Sequence, residues 1–308
     1  MIEFSVVIAV YNKENYVGKT LETVLNQTYK NFEVVIVNDG SKDDSENVIL
    51  SFDDPRIRYY SQENTGAGAA RNTAISHATK PWIALLDADD IWYPDYLEEQ
   101  ARLIRKFPEE KVFATNSMIH QDGKFLTRNY SFEVPKDDTV FNFFEASLRD
   151  SLLNSSLTVV HGDALAEVNY YDPTIKSGQD TDLWVKLGLR YNVVFSPKVC
   201  GYYEINETSL FKSARNFSDK TTFEAYEHME KDNLPLKKFL DLNRYSVCLA
   251  TKFEGNKEAF NQLYPKIDLN NLSSSQRLLL KMNRPMLVLA KKTQNFLSRI
   301  GIRLSSFK

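Results

Sequence analysis

Trp82-Ile83-Ala84-Leu85-Leu86-Asp87-Ala88-Asp89-Asp90 is the stretch whose reading decides the fold of this chain. Trp82 to Leu86 are all apolar or aromatic, the pattern of a strand buried on both faces. The run stops at three carboxylates, Asp87, Asp89 and Asp90. Burying unpaired carboxylates is costly, and three close together repel one another. A divalent cation resolves that conflict, because hard cations take carboxylate oxygen. An isolated Asp-x-Asp is more readily read as a solvated acidic turn, so the surrounding sequence must decide.

Working outward, Phe4–Val10, Glu33–Val37 and Ile57–Tyr60 are further short runs rich in β-branched residues. Helical patterns alternate with them over Tyr16–Asn26, Asp43–Phe52 and Ala67–Thr79. Strand and helix in this rhythm predict an α/β fold, a doubly wound and mostly parallel Rossmann-like sheet. Ligands of such sheets sit beyond the carboxyl ends of the strands. Polar clusters fall at those ends: Tyr11-Asn12, Asn38-Asp39-Gly40-Ser41, and Asp87 to Asp90. Helices are also expected over Asp95–Phe107, entered through Pro94, and over Asp180–Arg190, with strands at Lys111–Ala114 and Val193–Ser196. From about residue 215 the β pattern gives way to helical spacing.

At 308 residues the chain holds either one large domain with an appendage or two domains. A 43% hydrophobic and 12% aromatic composition argues for a packed core rather than disorder. Cys200 and Cys248 offer neither a disulfide framework nor a paired metal motif, which points to buried packing in a reducing compartment. No apolar run approaches the roughly 20 residues that span a bilayer, and the N-terminus enters a strand without a basic leader. A cytoplasmic protein is the expectation. Charge is unevenly spread. Past Asp268 there is no acid, while Arg277, Lys281, Arg284, Lys291, Lys292, Arg299, Arg303 and Lys308 are basic. Of 38 basic and 41 acidic residues, that leaves 30 against 41 in the body, a net of −11 before a +8 tail. A tail so distinct implies a partner of its own.

Four segments in order resemble the family 2 inverting glycosyltransferases of the GT-A fold, over about residues 3–210. They are Ser5-Val-Val-Ile-Ala-Val-Tyr-Asn12, with Ala9 where the family usually has proline; Phe32 to Ser41, with Asn38 for the family's first acid; Asn64-Thr-Gly-Ala-Gly-Ala-Ala-Arg-Asn72 leading to Asp87–Asp90 and Pro94-Asp95; and Ser177-Gly-Gln-Asp-Thr-Asp-Leu-Trp184. The resemblance implies a glycosyltransferase domain over 1–212, and helical spacing and charge add a helical extension over 213–308, with 271–308 a basic amphipathic tail. It also implies a UDP-sugar site built from Ala9, Tyr11, Asn12, Asp39, Asn64, Gly66, Arg71, Asp87 and Ala88. In that scheme Asp39 reads uracil with Tyr11 nearby, Asp87 faces the ribose, and Asp89, supported by Asp90, holds Mn²⁺ or Mg²⁺. Asp180 is the general base, and Gln179 and Trp184 border the acceptor. Asn206 stands where relatives often place a third, histidine metal ligand.

The residues suit these roles on their own chemistry. A carboxylate such as Asp39, after a strand and before Gly40, can accept N–H groups of a base edge, though Asp-Gly-Ser is also a turn that caps a helix. The guanidinium of Arg71 suits phosphate or a base carbonyl. Asp180 could instead cap the helix it opens. Asp182 reads as a cap or an ion pair on that helix, and Trp184 as packing as readily as an acceptor wall. His161 could reach a diphosphate. The histidines show no zinc spacing, and Asn64 to Gly68 lacks the dinucleotide fingerprint.

The expected activity is transfer of a sugar from a UDP-sugar to a glycan hydroxyl, the acceptor being lipid-linked or a surface polysaccharide. A nucleotidyltransferase would place a glycine-rich, lysine-bearing loop after the first strand, and Val10-Tyr-Asn-Lys13 has no glycine. A catalytically degenerate glycan-binding or scaffold protein is the other alternative. If Arg284–Leu304 is helical, Met286, Leu289, Ala290, Phe296, Leu297, Ile300 and Leu304 share one face. Lys291, Lys292, Arg299 and Arg303 project from another, with Leu287, Val288 and Ile302 as exceptions. Such a helix predicts peripheral contact with the inner face of the cell membrane, or else packing on the protein. Nucleic acid is not expected beside so acidic a body.

Overall fold

The computed structural model describes residues 1–205, 221 and 223–299, with backbone alone beyond residue 294. The chain falls into two compact units, Met1–Ser209 and Leu210–Lys308.

In the first unit the alternation read from the sequence is realised. The elements are β1 (Phe4–Val10), α1 (Val17–Leu25), β2 (Phe32–Asp39), α2 (Ser45–Leu50), β3 (Ile57–Gln62), α3 (Ala67–His77) and β4 (Trp82–Asp87). Then follow β5 (Ile91–Trp92), α4 (Tyr96–Lys106), β6 (Val112–Gln121), β7 (Lys124–Thr127), β8 (Thr139–Phe141) and α5 (Phe143–Ala146). The unit closes with β9 (Thr158–His161), α6 (Gly162–Glu167), α7 (Gln179–Gly188) and β10 (Val193–Ile205). One sheet runs in the order β3-β2-β1-β4-β9-β6-β10-β5, with β7 added to β6 and β8 to β10.

The doubly wound α/β reading holds, and the parallel half is β3-β2-β1-β4. The other half is mixed: β9 runs antiparallel between β4 and β6, and β5, β7 and β8 are also antiparallel to their neighbours. β6 and β10 nevertheless pair in parallel and run in the direction of β1 to β4, so six strands share one direction and the mostly parallel reading holds. Of the antiparallel strands, β7 returns from β6 through the two-residue turn Asp122-Gly123, which needs no helical crossover. The core lies beneath the parallel half, where Val6, Ile8, Val34, Ile36, Ala84 and Leu86 pack with Leu21 and Val24 of α1.

One difference from expectation is β10. Pro197 reads as a strand end, yet β10 continues through it to Ile205, pairing with β6 across register shifts between Ser196 and Val199 and between Val199 and Tyr202. Proline is accommodated at a bulge, where Pro197 and Lys198 drop out of the ladder between Ser196 and Val199. Farther on, β10 meets β5 at Gly201. A Cβ there would lie 2.4 Å from the Ile91 carbonyl oxygen, so only glycine allows the approach.

The second unit is helical: α8 (Leu234–Glu254), α9 (Lys257–Leu263), α10 (Ser274–Lys281) and α11 (Arg284–Arg299). Its core gathers Tyr245, Cys248, Leu249, Leu263, Leu279, Leu280 and Leu287. The basic tail thus contributes core residues. Leu287, read from sequence as an exception to the apolar face, is the buried residue among the described side chains of α11, whereas Met286 and Leu289 stay exposed, Leu289 at 67%. Helix spacing alone cannot say which of two overlapping apolar stripes meets a neighbour. Ile300 and Leu304, and the side chains of Phe296 and Leu297, lie outside the described residues. Both cysteines are buried, and burial pushes each thiol up to about 12.

Candidate active site

The carboxyl ends of β1, β2 and β4 come together because the three strands are adjacent and in register, Ala9 pairing with Val37 on one side and Asp87 on the other. Each polar cluster picked out in the sequence sits at this edge.

At the end of β2, Asp39 is buried and ties down the following loop. Its Oδ1 accepts from Gln62 Nε2 (2.8 Å) and the Thr65 N–H (2.9 Å), and its Oδ2 from the Gly66 N–H (2.9 Å). Asn64 closes the same loop by donating to the Asp39 carbonyl at 2.9 Å. Gly66, with φ of 95°, turns the chain into α3. Gly40 has φ of 69°, and a Cβ on it would stand 2.9 Å from the Asn64 amide nitrogen. Asp39 is therefore first the organiser of the 62–66 loop. Asn12 plays the matching part between β1 and β2. Its N–H donates to Ser41 Oγ (3.0 Å), and its Oδ1 accepts from the Lys42 N–H (2.8 Å). Tyr11 beside it is exposed.

Arg71 lies on α3, buried, and reaches between two carboxylates. Nη2 donates to Asp87 Oδ1 at 2.5 Å and Nη1 to Asp180 Oδ1 at 3.1 Å. Its guanidinium stands 5.5 Å from the centre of the Tyr171 ring. Burial alone would lower the Arg71 pKa, but Asp180 and Asp87 outweigh it and hold the group well above its ordinary value. At Asp180, burial is the largest influence and raises the carboxyl pKa, Asp87 adds to it, and Arg71 with the Ser155 and Tyr171 hydroxyls opposes it. The net direction is upward. Asp180 is not the cap of α7: that position is Gly178, without a side-chain cap, and Asp180 is the second helical residue. Asp182 does make the expected ion pair on the helix, with Lys186 at 2.7 Å.

The acidic turn itself is held from three sides. Thr20 of α1 donates to the carbonyls of Ala88 (3.1 Å) and Asp90 (2.9 Å). Ser156 Oγ accepts the Asp87 N–H and donates to Asp90 Oδ2. Glu204 of β10 donates its N–H to Asp90 Oδ1 at 3.0 Å. Asp90, expected to support the cation, thus has both oxygens engaged inside the fold. Burial and the nearby Asp87 and Asp89 push its carboxyl well above the usual range. It anchors the turn. Asp89 pairs with Lys13 Nζ at 2.5 Å.

Several expected contacts are corrected. Ala88 has its side chain in the core, so only its backbone borders the edge. Trp184 is buried on α7 and serves helix packing. Gln179 is buried, its side chain against the position of Gly68 on α3, so it does not line an open acceptor face. His161 pairs with Trp82, at the start of β4, and so lies at the opposite end of the strand from Asp87. It caps α6. Asn206 lies outside the described residues. Lys13, Tyr171, Ser156 and Thr20 were not singled out from sequence. Only Lys13, directly after Tyr11-Asn12, carried any local signal.

Among the described residues no three His, Cys, Asp or Glu side chains gather into a metal-holding group. The donor set that is present, Asp87 and Asp89, is all hard oxygen, which suits Mg²⁺ or Mn²⁺ held by one or two carboxylates together with substrate phosphate. The residues fit a cation that arrives with a diphosphate, not a preformed protein cage.

A family model described as Glycosyl transferase family 2 matches residues 5–171. The chain is 44% identical over 218 residues to the glycosyltransferase GlyA of Streptococcus pneumoniae, covering 68% of this chain and 31% of GlyA. It is 30% identical over 219 residues to an uncharacterized glycosyltransferase of Rickettsia typhi, covering 69% of this chain and 67% of that one. The chain thus spans about a third of some curated relatives it matches and two thirds of others. In fold it is similar to residues 1–349 of S. aureus TarS in complex with UDP-GlcNAc, with a TM-score of 0.69, 20% identity, and 97% and 92% of the two chains covered.

Proposed function

The chain belongs to glycosyl transferase family 2, and we propose that it transfers a hexosyl or N-acetylhexosaminyl group from a UDP-sugar to a glycan hydroxyl with inversion. The observation that carries this reading is the pair of carboxylates, Asp87 and Asp180, held on one buried guanidinium at the strand edge. Asp87 belongs to the acidic turn, and Asp180 stands apart from it with a raised pKa. Two carboxylates in different environments support two different tasks.

In the proposed reaction the acceptor oxygen bonds to the anomeric carbon as the bond from that carbon to the UDP phosphate oxygen breaks. The electron pair leaves with UDP, and the acceptor proton passes to Asp180. A raised pKa makes Asp180 a stronger proton acceptor than an ordinary aspartate, while Arg71 fixes its orientation through Oδ1. Asp39 shapes the 62–66 loop beside which the base and ribose bind, with Ala9, Tyr11, Asn12, Asn64 and Gly66 on the same edge. Asp89, with Asp87, would hold the divalent cation, which supplies charge neutralisation on the departing diphosphate. Lys13 must then give up Asp89, and its ammonium would meet phosphate instead. The complex of the similarly folded TarS with UDP-GlcNAc supports a UDP-linked donor.

The acceptor we propose is a lipid-linked or surface glycan, reached from the cytoplasmic face of the membrane. The exposed Met286 and Leu289 beside Lys292 support peripheral contact. No helix among the described residues is long and apolar enough to cross a membrane. A panel of UDP-sugars incubated with Mn²⁺ should include one from which the enzyme slowly releases UDP. Binding without release from any member would favour a glycan-binding or scaffold role; neither binding nor release would sink the donor assignment.

A further inference from the structure

We propose that the outer face of the β7-β6-β10 ribbon is a stacking platform for a pyranose ring of the acceptor. This rests on the glycosyltransferase reading above and adds a binding surface to it. Register carries the geometry. Leu85 of β4 and Ala114 of β6 both pair with Thr158 of β9, so Asp87 is level with Asn116. From there β6 runs on to Gln121, rising about 16 Å beyond the acidic turn at the usual advance per residue. β7 and β10 flank it over this stretch.

The same register sets one row of side chains across the ribbon: Phe125 opposite His120, and His120 opposite Glu204. Tyr202, two residues before Glu204, shares its face. The rings are in contact, His120 and Phe125 with centroids 4.7 Å apart and Phe125 and Tyr202 5.0 Å apart. His120 Nδ1 lies 2.7 Å from Glu204 Oε1. The opposite face is different: Ile119 is buried, and Tyr203 stacks near Arg128. Phe125 is 51% exposed on the outer face. An exposed ring beside a polar His–Glu pair matches one chemistry well. A pyranose offers an apolar C–H face for the ring and hydroxyls for the imidazole and carboxylate.

Position selects the acceptor over the donor. The strand order puts Asp39 on one side of β4 and this ribbon on the other. The platform adjoins the turn directly, through the Glu204 N–H on Asp90 and through Tyr93 beside Tyr202, ring centroids 6.3 Å apart.

Saturation-transfer NMR on the full chain tests the proposal, with UDP and the methyl β-glycosides of glucose, galactose and N-acetylglucosamine as probes. At least one glycoside should receive saturation at its ring C–H protons from the parent protein. Phe125→Ser should weaken that glycoside about three- to tenfold, the scale of one aromatic contact, while Phe125→Trp keeps it. The UDP signals should be equal in all three proteins, which also reports that the variants fold. Equal glycoside signals in parent and Phe125→Ser, or no glycoside signal in the parent, would overturn the platform. Self-association abolished by Phe125→Ser would assign the face to a second copy and overturn it as well. Glycoside signals without UDP signals would support the platform while removing the donor reading beneath it.

Discussion

Replacing Arg71 with methionine removes the cation that pairs with both Asp87 and Asp180 and leaves the rest of α3 in place. Breaking a fully buried ion pair from one side costs about 3–5 kcal/mol, because the partner charge is stranded. Here the Asp87 and Asp180 side chains keep 35% and 31% exposure, so water recovers part of the loss. The lower end, about 3 kcal/mol, is the appropriate figure. For a domain of this size each kcal/mol moves the melting temperature by roughly 2–4 °C, giving a drop of about 6–12 °C. The drop also depends on pH. Burial, the largest influence on Asp180, already raises its carboxyl above the ordinary 3.8, and losing Arg71 removes a principal opposing influence. A folded-state pKa above the unfolded one means the folded state holds more protons between the two values, so stability falls as pH rises through that window. The deficit of Arg71→Met should therefore be smaller at about pH 5 than at about pH 8. Scanning calorimetry of parent, Arg71→Met and Arg71→Met with Asp180→Asn checks this, and the added Asp180→Asn should restore part of the loss at the higher pH. A single variant melting within about 2 °C of the parent at pH 8, or a deficit that ignores both pH and Asp180→Asn, would refute the bridging role.

Asp180→Asn should lower transfer by about 10²-fold or more with little change in UDP-sugar affinity. In the parent the rate should fall on the acid side at a pH above the ordinary aspartate value, as the raised carboxyl takes a proton; weakened nucleotide binding with turnover spared would make Asp180 structural. Asp89→Asn should fold normally yet lose activity, and chelation should silence the parent; full turnover after exhaustive chelation excludes the cation. Asp39→Ala should loosen the 62–66 loop and weaken donor binding before it affects the chemical step, with an unchanged donor affinity as the contrary result. Salt-sensitive binding to anionic vesicles should drop in Leu289→Ser with Lys292→Glu, and equal sedimentation of variant and parent would refute membrane contact. Point variants are the right tool, since truncation near residue 270 would remove Leu279, Leu280 and Leu287 from the core of the C-terminal unit.

What the sequence by itself determined is local and periodic. β-Branched runs of strand length marked β1 to β4, the apolar spacing of Tyr16–Asn26 marked α1, and acids placed at strand ends marked the edge where a ligand binds. Four short segments in order were enough to indicate the family. What only the tertiary structure decided is which groups meet across the fold. Arg71 joins Asp87 and Asp180, 16 and 109 residues away, because adjacent strands and the start of α7 converge on one buried point. Asp89 and Asp90 are neighbours of the same type, yet one meets Lys13 and the other turns inward to Ser156 and the Glu204 N–H. Gln179 and Trp184, next to the candidate base in sequence, pack inward instead, and in α11 burial falls on Leu287 rather than on Met286 and Leu289. Periodicity specifies the direction in which a side chain leaves its element. The neighbour that awaits it is contributed by residues far away in the chain, and that choice between solvent, core and ion pair is made only when the elements pack.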